Sequence, residues 1–314
     1  MLSNQIATSN IKMKTYQQLW QSLTPLYDAG EAQAIVRTVL DVKYGMTLTD
    51  IICGKVNEIS ADEERKLEEI IIRLQKGEPV QYVLGEADFA GRPFHVEPGV
   101  LIPRTETAEL CQWIEKDIIE KSIVSSGDFS EDSSGNSPQA TDDARRILDI
   151  CTGSGCIAIT LGLNIPNSEV TGWDISEDAL RIAQGNVEML KARNVRIEYQ
   201  DALALPKAAE AADLIVSNPP YICEKEKADM EKNVLEHEPS LALFVPDEDP
   251  LKFYRAIAEY ASSALKSGGA LYFEINPIYE KETRKMLEEL GFKDIETKED
   301  AFGKKRMMRA KSTK

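Results

Sequence analysis

An α/β fold, with a mainly parallel sheet covered by helices on both faces, follows from three features of the 314-residue sequence. From residue 146 onward, short β-rich runs alternate with helical patterns, which implies parallel strands joined by crossover helices. The stretches "CTGSG", "WDIS", "QDAL" and "SNPPY" all fall at the ends of such runs, where ligands sit in sheets of this kind. Ahead of them, about 80 residues carry helical periodicity.

In chain order, the first part is read as a helical bundle over residues 1–84. Tyr16, Leu19 and Leu23 share one face, as do Ile35, Val36, Val39 and Leu40; Leu67, Ile70, Ile71 and Leu74 keep the helical spacing. Ser60 and Glu63 have the spacing of a capping box. The period then changes. Phe89, Phe94 and Val96 alternate around Gly91-Arg92-Pro93 and Pro98-Gly99, so residues 85–105 are read as a β-hairpin linking two domains. The second domain spans 106–314 and opens with a helix from Glu106 to about Lys121. Residues 125–143, "SSGDFSEDSSGNSPQATDD", hold a single large apolar residue, Phe129. Such a stretch cannot offset the entropy of ordering, and a disordered acidic insertion is expected.

The strands of this domain are "RILDI" (146–150), "EVTGW" (169–173), "VRIEY" (195–199), "DLIVS" (213–217) and "ALYFEI" (270–275). Two more, near Phe292–Glu296 and Arg306–Ala310, lie close enough in sequence to form an antiparallel edge. Together they make a seven-stranded, mainly parallel sheet.

Composition excludes several classes. Hydrophobic content of 42% and charged content of 29% are those of a globular protein, and no apolar run approaches the ~18 residues of a membrane span. With 37 basic and 53 acidic residues the formal charge is −16, which argues against a broad grip on nucleic acid. The five cysteines fit neither zinc spacing nor a disulfide framework, so a reduced cytoplasmic setting is expected. His95 and His237 are the only histidines. Neither a metal site nor a histidine-dependent triad is expected.

"LDICTGSGCIAI" reads as a strand, a glycine turn and a helix start. Gly153 and Gly155 let a ligand approach the backbone, and the helix N-terminus offers free N–H groups. Asp174, 19 residues beyond Gly155, is placed to accept both hydroxyls of a ribose; the plainer reading makes it a helix-start acid beside Ser176. Asp201, after the third strand, is a candidate acceptor for an adenine amino group. These features admit either a nicotinamide dinucleotide or S-adenosyl-L-methionine.

Asn218-Pro219-Pro220-Tyr221 separates the two. Hydride transfer has no need of it; methylation of an amide or exocyclic amine does, because the lone pair of such a nitrogen is delocalised. The Asn218 side-chain oxygen and the Pro219 carbonyl can accept its two hydrogens and aim the lone pair. Proline fixes φ, and a following proline keeps Pro219 extended, so the acceptors are set before substrate arrives. Tyr221 can cover a flat amide or base.

With these residues, the sequence resembles the HemK/PrmC family of S-adenosylmethionine-dependent methyltransferases over roughly residues 15–310. "GEPVQYVLGEADFAGRPFHVEPGVLIPRTET", "DICTGSGCIAI", "SNPPYI", "EPSLALF" and "FYRAI" carry the resemblance. It implies a Rossmann-like class I methyltransferase domain behind a helical module that helps dock the substrate. The implied reaction is methylation of the glutamine N5 in the Gly-Gly-Gln motif of peptide chain release factors. It implies that Cys151, Thr152, Gly153, Ser154 and Gly155 line the methionine end of the cofactor, that Asp174 holds the ribose, and that Asp201 and Ala202 lie near adenine. Asn218, Pro219, Pro220 and Tyr221 would bind the glutamine amide, with Asn218 also beside the cofactor, and Arg104 and Glu106 would help close the site. The chain departs from the family where Thr105-Glu106-Thr107-Ala108 replaces Pro-Glu-Thr-Glu, where Asn276-Pro277 follows "EI" in place of glycine, and where Cys151 stands at a frequent glycine.

Competing functions are an adenine-N6 methyltransferase on DNA or RNA, disfavoured by charge, a glutamine methyltransferase acting on a ribosomal protein, and a non-catalytic cofactor-binding scaffold.

Overall fold

The structure, a computed structural model, describes residues 15–126, 144–206 and 211–314. Most of the acidic stretch 125–143 therefore lies outside the described residues. The chain divides between Gly85 and Glu86 into two compact units. Among the described residues, no helix is long and apolar enough to cross a membrane.

The first unit is helical: α1 (Tyr16–Gln21), α2 (Ala29–Tyr44), α3 (Leu48–Ile52), α4 (Ala61–Leu74) and α5 (Val80–Leu84). The starts of α1 to α4 each carry a side-chain cap. Asp28 accepts from Gly30 N and Glu31 N at the head of α2, and Ser60 and Glu63 cap α4 reciprocally. At the other end of α2, Gly45 takes a φ of 60°, the left-handed turn that stops a helix at little steric cost. Leu19, Leu23, Val36, Val39, Leu40, Leu67, Ile71 and Leu74 form one buried core, with Tyr16, Ile35 and Ile70 packed against it. These are the faces that periodicity marks out.

The second unit begins with a hairpin, β1 (Glu86–Phe89) and β2 (Arg92–His95). Its two-residue turn places Ala90 at φ 51° and Gly91 at φ 75°, as a type I′ connection requires. Phe89 and Phe94 meet edge to face at 5.8 Å and bury against Leu110, Trp113 and Ile114 of α6 (Thr105–Ser126). By packing, the hairpin belongs to this second unit.

After α6 the chain alternates: β3 (Arg145–Ile150), α7 (Cys156–Asn164), β4 (Ser168–Asp174), α8 (Glu177–Met189), β5 (Val195–Tyr199) and β6 (Ala212–Ser217). A short excursion comes next, with β7 (Ile222–Cys223), α9 (Lys232–His237), α10 (Ser240–Leu243) and β8 (Phe244–Val245). Then come α11 (Lys252–Ala264), β9 (Leu265–Glu274), α12 (Glu280–Glu289), β10 (Lys293–Glu299) and β11 (Lys305–Lys311).

Seven strands form one sheet in the order β10-β11-β9-β6-β3-β4-β5. The central pairs are parallel, and β11 runs antiparallel between β9 and β10. Alternate residues sort onto two faces. Ile147, Leu214, Val216 and Tyr272 join one core; Leu148, Ile150, Ile215, Leu271 and Phe273 join the other. The chain winds from β3 toward β5 and then returns to the far side of β3 as β6. Such a reversal opens a crevice beyond the strand ends.

Two connections position side chains at this crevice. In the β6–β9 pair Ser217 lies opposite Phe273, so Asn218 and Glu274 emerge side by side; an irregularity between Ala212 and Leu214 absorbs the extra residues of β9. Helix α6 is tied to the sheet because Tyr272 donates its hydroxyl to Asp117 Oδ2 at 2.7 Å and Arg309 ion-pairs with the same carboxylate. That tie sets the helix start, with Thr107, over the end of β9.

Candidate active site

Beyond β3 the backbone turns through left-handed φ angles at Cys151 (64°), Gly153 (55°) and Gly155 (80°) before α7 begins. For Cys151 this explains the family's usual glycine, since a side chain there sits in a disfavoured region. The turn is held from beneath by Asp149, whose Oδ2 accepts from Thr152 Oγ1 at 2.6 Å and from Ala158 N at 3.2 Å. Complete burial pushes the Asp149 carboxyl up to about 7 despite those two donors. Gly172 on β4 makes room for Thr152, because a Cβ there would lie 2.8 Å from Thr152 Oγ1. Asp174, at the end of β4, accepts from Gly153 N and Ser176 N, each at 2.9 Å. Burial outweighs those bonds and raises its carboxyl above the usual range. Asp201 accepts from Leu203 N at 2.8 Å.

At the end of β6, Asn218 Nδ2 donates to Thr107 Oγ1 at 3.2 Å. Thr107 donates in turn to Glu274 Oε2 at 2.5 Å, and Tyr221 donates its hydroxyl to Glu274 Oε1 at 3.0 Å. Glu274 is 2% exposed; burial raises its carboxyl, while Thr107, Tyr221 and Arg306 pull it down. Burial also pushes the Tyr221 phenol far up. The Tyr221 carbonyl accepts from Asn276 Nδ2 at 3.2 Å. Asn276 also donates to the Glu226 carboxylate and accepts from Ile278 N at 3.0 Å. The Asn276-Pro277 departure thus ties down the far end of the Asn-Pro-Pro-Tyr segment.

A third connection crosses the crevice. Glu238 Oε1 pairs with Arg104 Nη2 at 2.5 Å and its Oε2 accepts from Ile102 N at 3.2 Å.

Two cavities of similar size, about 200 and 180 Å³, adjoin at Leu101, Arg104, Asn218 and Ala242. The first is lined by Cys151, Thr152, Gly153, Ser154, Asp174, Asp201 and Ala202, with Asn218, Pro220 and Arg104. The second is lined by Asn218, Arg104, Tyr221 and Glu274. Most expected site residues line this crevice; Gly155, Pro219 and Glu106 line neither cavity, although Gly155 and Pro219 each sit between two neighbours that do. Gly155 serves packing, since a Cβ there would lie 3.1 Å from Ile159 Cδ1 and 3.2 Å from Ala183 Cβ. Glu106 sits in the first turn of α6, where an acid favours the helix dipole, and accepts from Thr105 Oγ1 at 3.0 Å.

The first cavity fits an adenosine-containing methyl donor. It is lined by the acids Asp174 and Asp201 beside the glycine turn, and Asp149 Oδ1 beneath that turn is buried without a hydrogen-bond partner. Buried polar atoms of this kind need a partner. Sequence reasoning missed Thr107, Glu238, Glu274 and the tie made by Asn276. For Glu274 a signal was present, a carboxylate closing an otherwise apolar strand.

Residues 141–305 match the methyltransferase domain family, and residues 24–85 match the PrmC N-terminal domain. With the sheet and crevice described, this defines a class I S-adenosylmethionine-dependent methyltransferase. Among solved structures, the fold is similar to the 16S rRNA N2 G1207 methyltransferase of Thermus thermophilus (TM-score 0.48, 20% identity, 72% of this chain and 49% of that one). The release factor glutamine methyltransferase of Bacteroides thetaiotaomicron is 47% identical over 92% of this chain and 96% of its own length. That of Flavobacterium psychrophilum is 38% identical over 95% and 98%. The chain belongs to the release factor glutamine methyltransferase family.

Proposed function

We propose that this enzyme transfers a methyl group from S-adenosyl-L-methionine to the side-chain N5 of the glutamine in the Gly-Gly-Gln motif of peptide chain release factors. The observation that carries the reading is Asn218 at the junction of the two cavities, its nitrogen committed to Thr107 and its oxygen left to accept.

Cys151 to Ser154, Asp174, Asp201 and Ala202 would hold the cofactor, which when bound supplies an electrophilic sulfonium methyl. The chain's own residues prepare the acceptor nitrogen. Asn218 Oδ1 takes one amide hydrogen, and the Pro219 carbonyl is assigned the other. Tyr221, at the wall of the second cavity, covers the planar amide. Binding both hydrogens to acceptors raises electron density on nitrogen and directs its lone pair toward the first cavity. The amide would take the methyl, leaving the donor as its neutral thioether, and would shed one of the two held hydrogens to water. Orientation and these hydrogen bonds supply the catalysis. Arg104, held by Glu238, closes the boundary between the cavities. The N-terminal unit is assigned recognition of the protein substrate, and a cytoplasmic location follows from that substrate.

The test is methyl transfer from labelled S-adenosyl-L-methionine to a purified release factor, with the modified residue located by mass spectrometry and duplex DNA and RNA as competitors. Label on the Gly-Gly-Gln glutamine, reduced about 10²–10³-fold in kcat by Asn218→Ala, is expected. Label on nucleic acid alone would overturn the substrate, and full activity in Asn218→Ala would overturn the clamp.

A further inference from the structure

We infer that Glu274, acting through Thr107 and Tyr221, decides which end of the Asn218 amide faces the substrate. This rests on the proposed glutamine chemistry and adds two positioning residues to it, Glu274 and Thr107.

An asparagine side chain is nearly symmetric in shape, yet its two ends have opposite hydrogen-bonding character. A clamp for an amide nitrogen works only if the oxygen faces the substrate. Turned over, Asn218 would present N–H groups to N–H groups. Nothing in Asn218 itself fixes the choice.

The buried Glu274 carboxylate fixes it from two bonds away. An ionised carboxylate only accepts, and both of its oxygens are engaged, Oε1 by the Tyr221 hydroxyl at 3.0 Å and Oε2 by the Thr107 hydroxyl at 2.5 Å. The Thr107 proton is thereby committed to Glu274, and the Thr107 oxygen is left with lone pairs alone. Facing those lone pairs, Asn218 must turn its nitrogen inward, as it does at 3.2 Å, and its oxygen outward. The same carboxylate pins Tyr221, three residues further on, so both ends of the Asn-Pro-Pro-Tyr segment are referred to one group.

Protonating Glu274 reverses this logic. A carboxylic acid donates to Thr107, the Thr107 proton swings toward Asn218, and the amide turns over. Facing the carboxyl are Glu106, Thr107 and Cys111 of α6, Cys156 of α7, Tyr221 after β6, Tyr254 of α11 and Arg306 of β11. Glu106 favours protonation and Arg306 opposes it. Turnover therefore acquires an acidic limb that belongs to Glu274.

The test uses Thr107→Val, which keeps shape and loses the hydroxyl, Thr107→Ser, which restores it, and Glu274→Gln. In the cofactor-free protein labelled with ¹⁵N-asparagine, the Asn218 side-chain NH₂ pair is identified by its loss in Asn218→Ala. Wild type and Thr107→Ser should show that pair shifted away from free amide positions; in Thr107→Val it should collapse to them. On the release factor, Thr107→Val should lower kcat about 10–100-fold and Thr107→Ser should recover most of it. Glu274→Gln should lower the plateau and abolish the acidic limb. Unchanged NH₂ signals in Thr107→Val, a Thr107→Ser variant as poor as Thr107→Val, or an acidic limb surviving in Glu274→Gln would each overturn the inference. If wild type methylates no glutamine, the function reading fails instead, and the NH₂ signals still decide how Asn218 is turned.

Discussion

Glu238 is paired with Arg104 at 2.5 Å across a sequence distance of 134 residues, and its side chain is 1% exposed while that of Arg104 is 36% exposed. The pair holds the segment after the hairpin against the excursion between β7 and β8. Removing either partner therefore has unequal effects. Arg104→Ala strands a buried carboxylate, and since Arg104 is partly solvated the loss should be about 2 kcal/mol of stability rather than the full buried-pair value. Glu238→Gln, which can still accept from Ile102 N, should cost less than about 1 kcal/mol. Thermal melts of the single and double variants check this; additive effects would mean that the two side chains do not act as a latch.

Asp149 gives a pH signature to the cofactor-free protein. In the folded chain its carboxyl is raised from 3.8 to about 7. In acid both folded and unfolded chains carry it neutral, and burial costs nothing. As pH climbs from 3.8 toward 7 only the unfolded chain ionises, so stability falls, and the whole loss is felt above 7. Asp149→Asn should remove this slope, gaining up to about 4 kcal/mol relative to wild type between about pH 4 and pH 8. Denaturant titrations at the two values would show it, and parallel curves would refute it.

Ala90 occupies a left-handed position in the hairpin turn, at φ 51°. Asparagine tolerates that conformation better, and Asn-Gly is the favoured type I′ pair. Ala90→Asn should stabilise the protein by about 0.5–1 kcal/mol with unchanged turnover. A lower melting temperature would show that the turn is shaped by its surroundings instead.

In the N-terminal unit, Leu48 and Ile52 lie four residues apart on α3 and are 54% and 77% exposed. Apolar side chains spaced so on one helix face suit contact with a protein substrate. Replacing both by glutamate should raise KM for an intact release factor while leaving turnover of a short Gly-Gly-Gln peptide unchanged. Equal effects on both substrates would remove the assigned docking role.

Much of the fold was legible because its strands are short β-rich runs with clear punctuation. Val195–Tyr199 is the plainest case, and its ends agree with the structure. The glycine loop, the acids at the ends of β4 and β5 and the Asn-Pro-Pro-Tyr segment were legible too, since each stands at a strand end. Side-chain meetings over long separations were not. Thr107 and Glu274 are 167 residues apart, and only the docking of α6 on β9 brings them together. Gly155 shows why the loop's glycines cannot be sorted from sequence: glycine beside a ligand and glycine packed against a helix, here against Ile159 and Ala183, look alike. Asn276 did mislead, since a departure from a family pattern reads as a changed loop, whereas here it became a tie.

The β6–β9 register has a consequence for how this enzyme can vary. Strand side chains alternate, so sliding β9 by one position would set Phe273 or Ile275 where the carboxylate belongs and turn Glu274 toward the opposite face. Insertions and deletions are therefore ruinous between Ala270 and Glu274, where the strand runs in step with β6. They are better tolerated just before, where β9 runs from Leu265 to Ala270 while β6 advances only from Ala212 to Leu214. The surplus works as a slack loop in a measuring tape: length can change there while the graduations beyond it keep their marks.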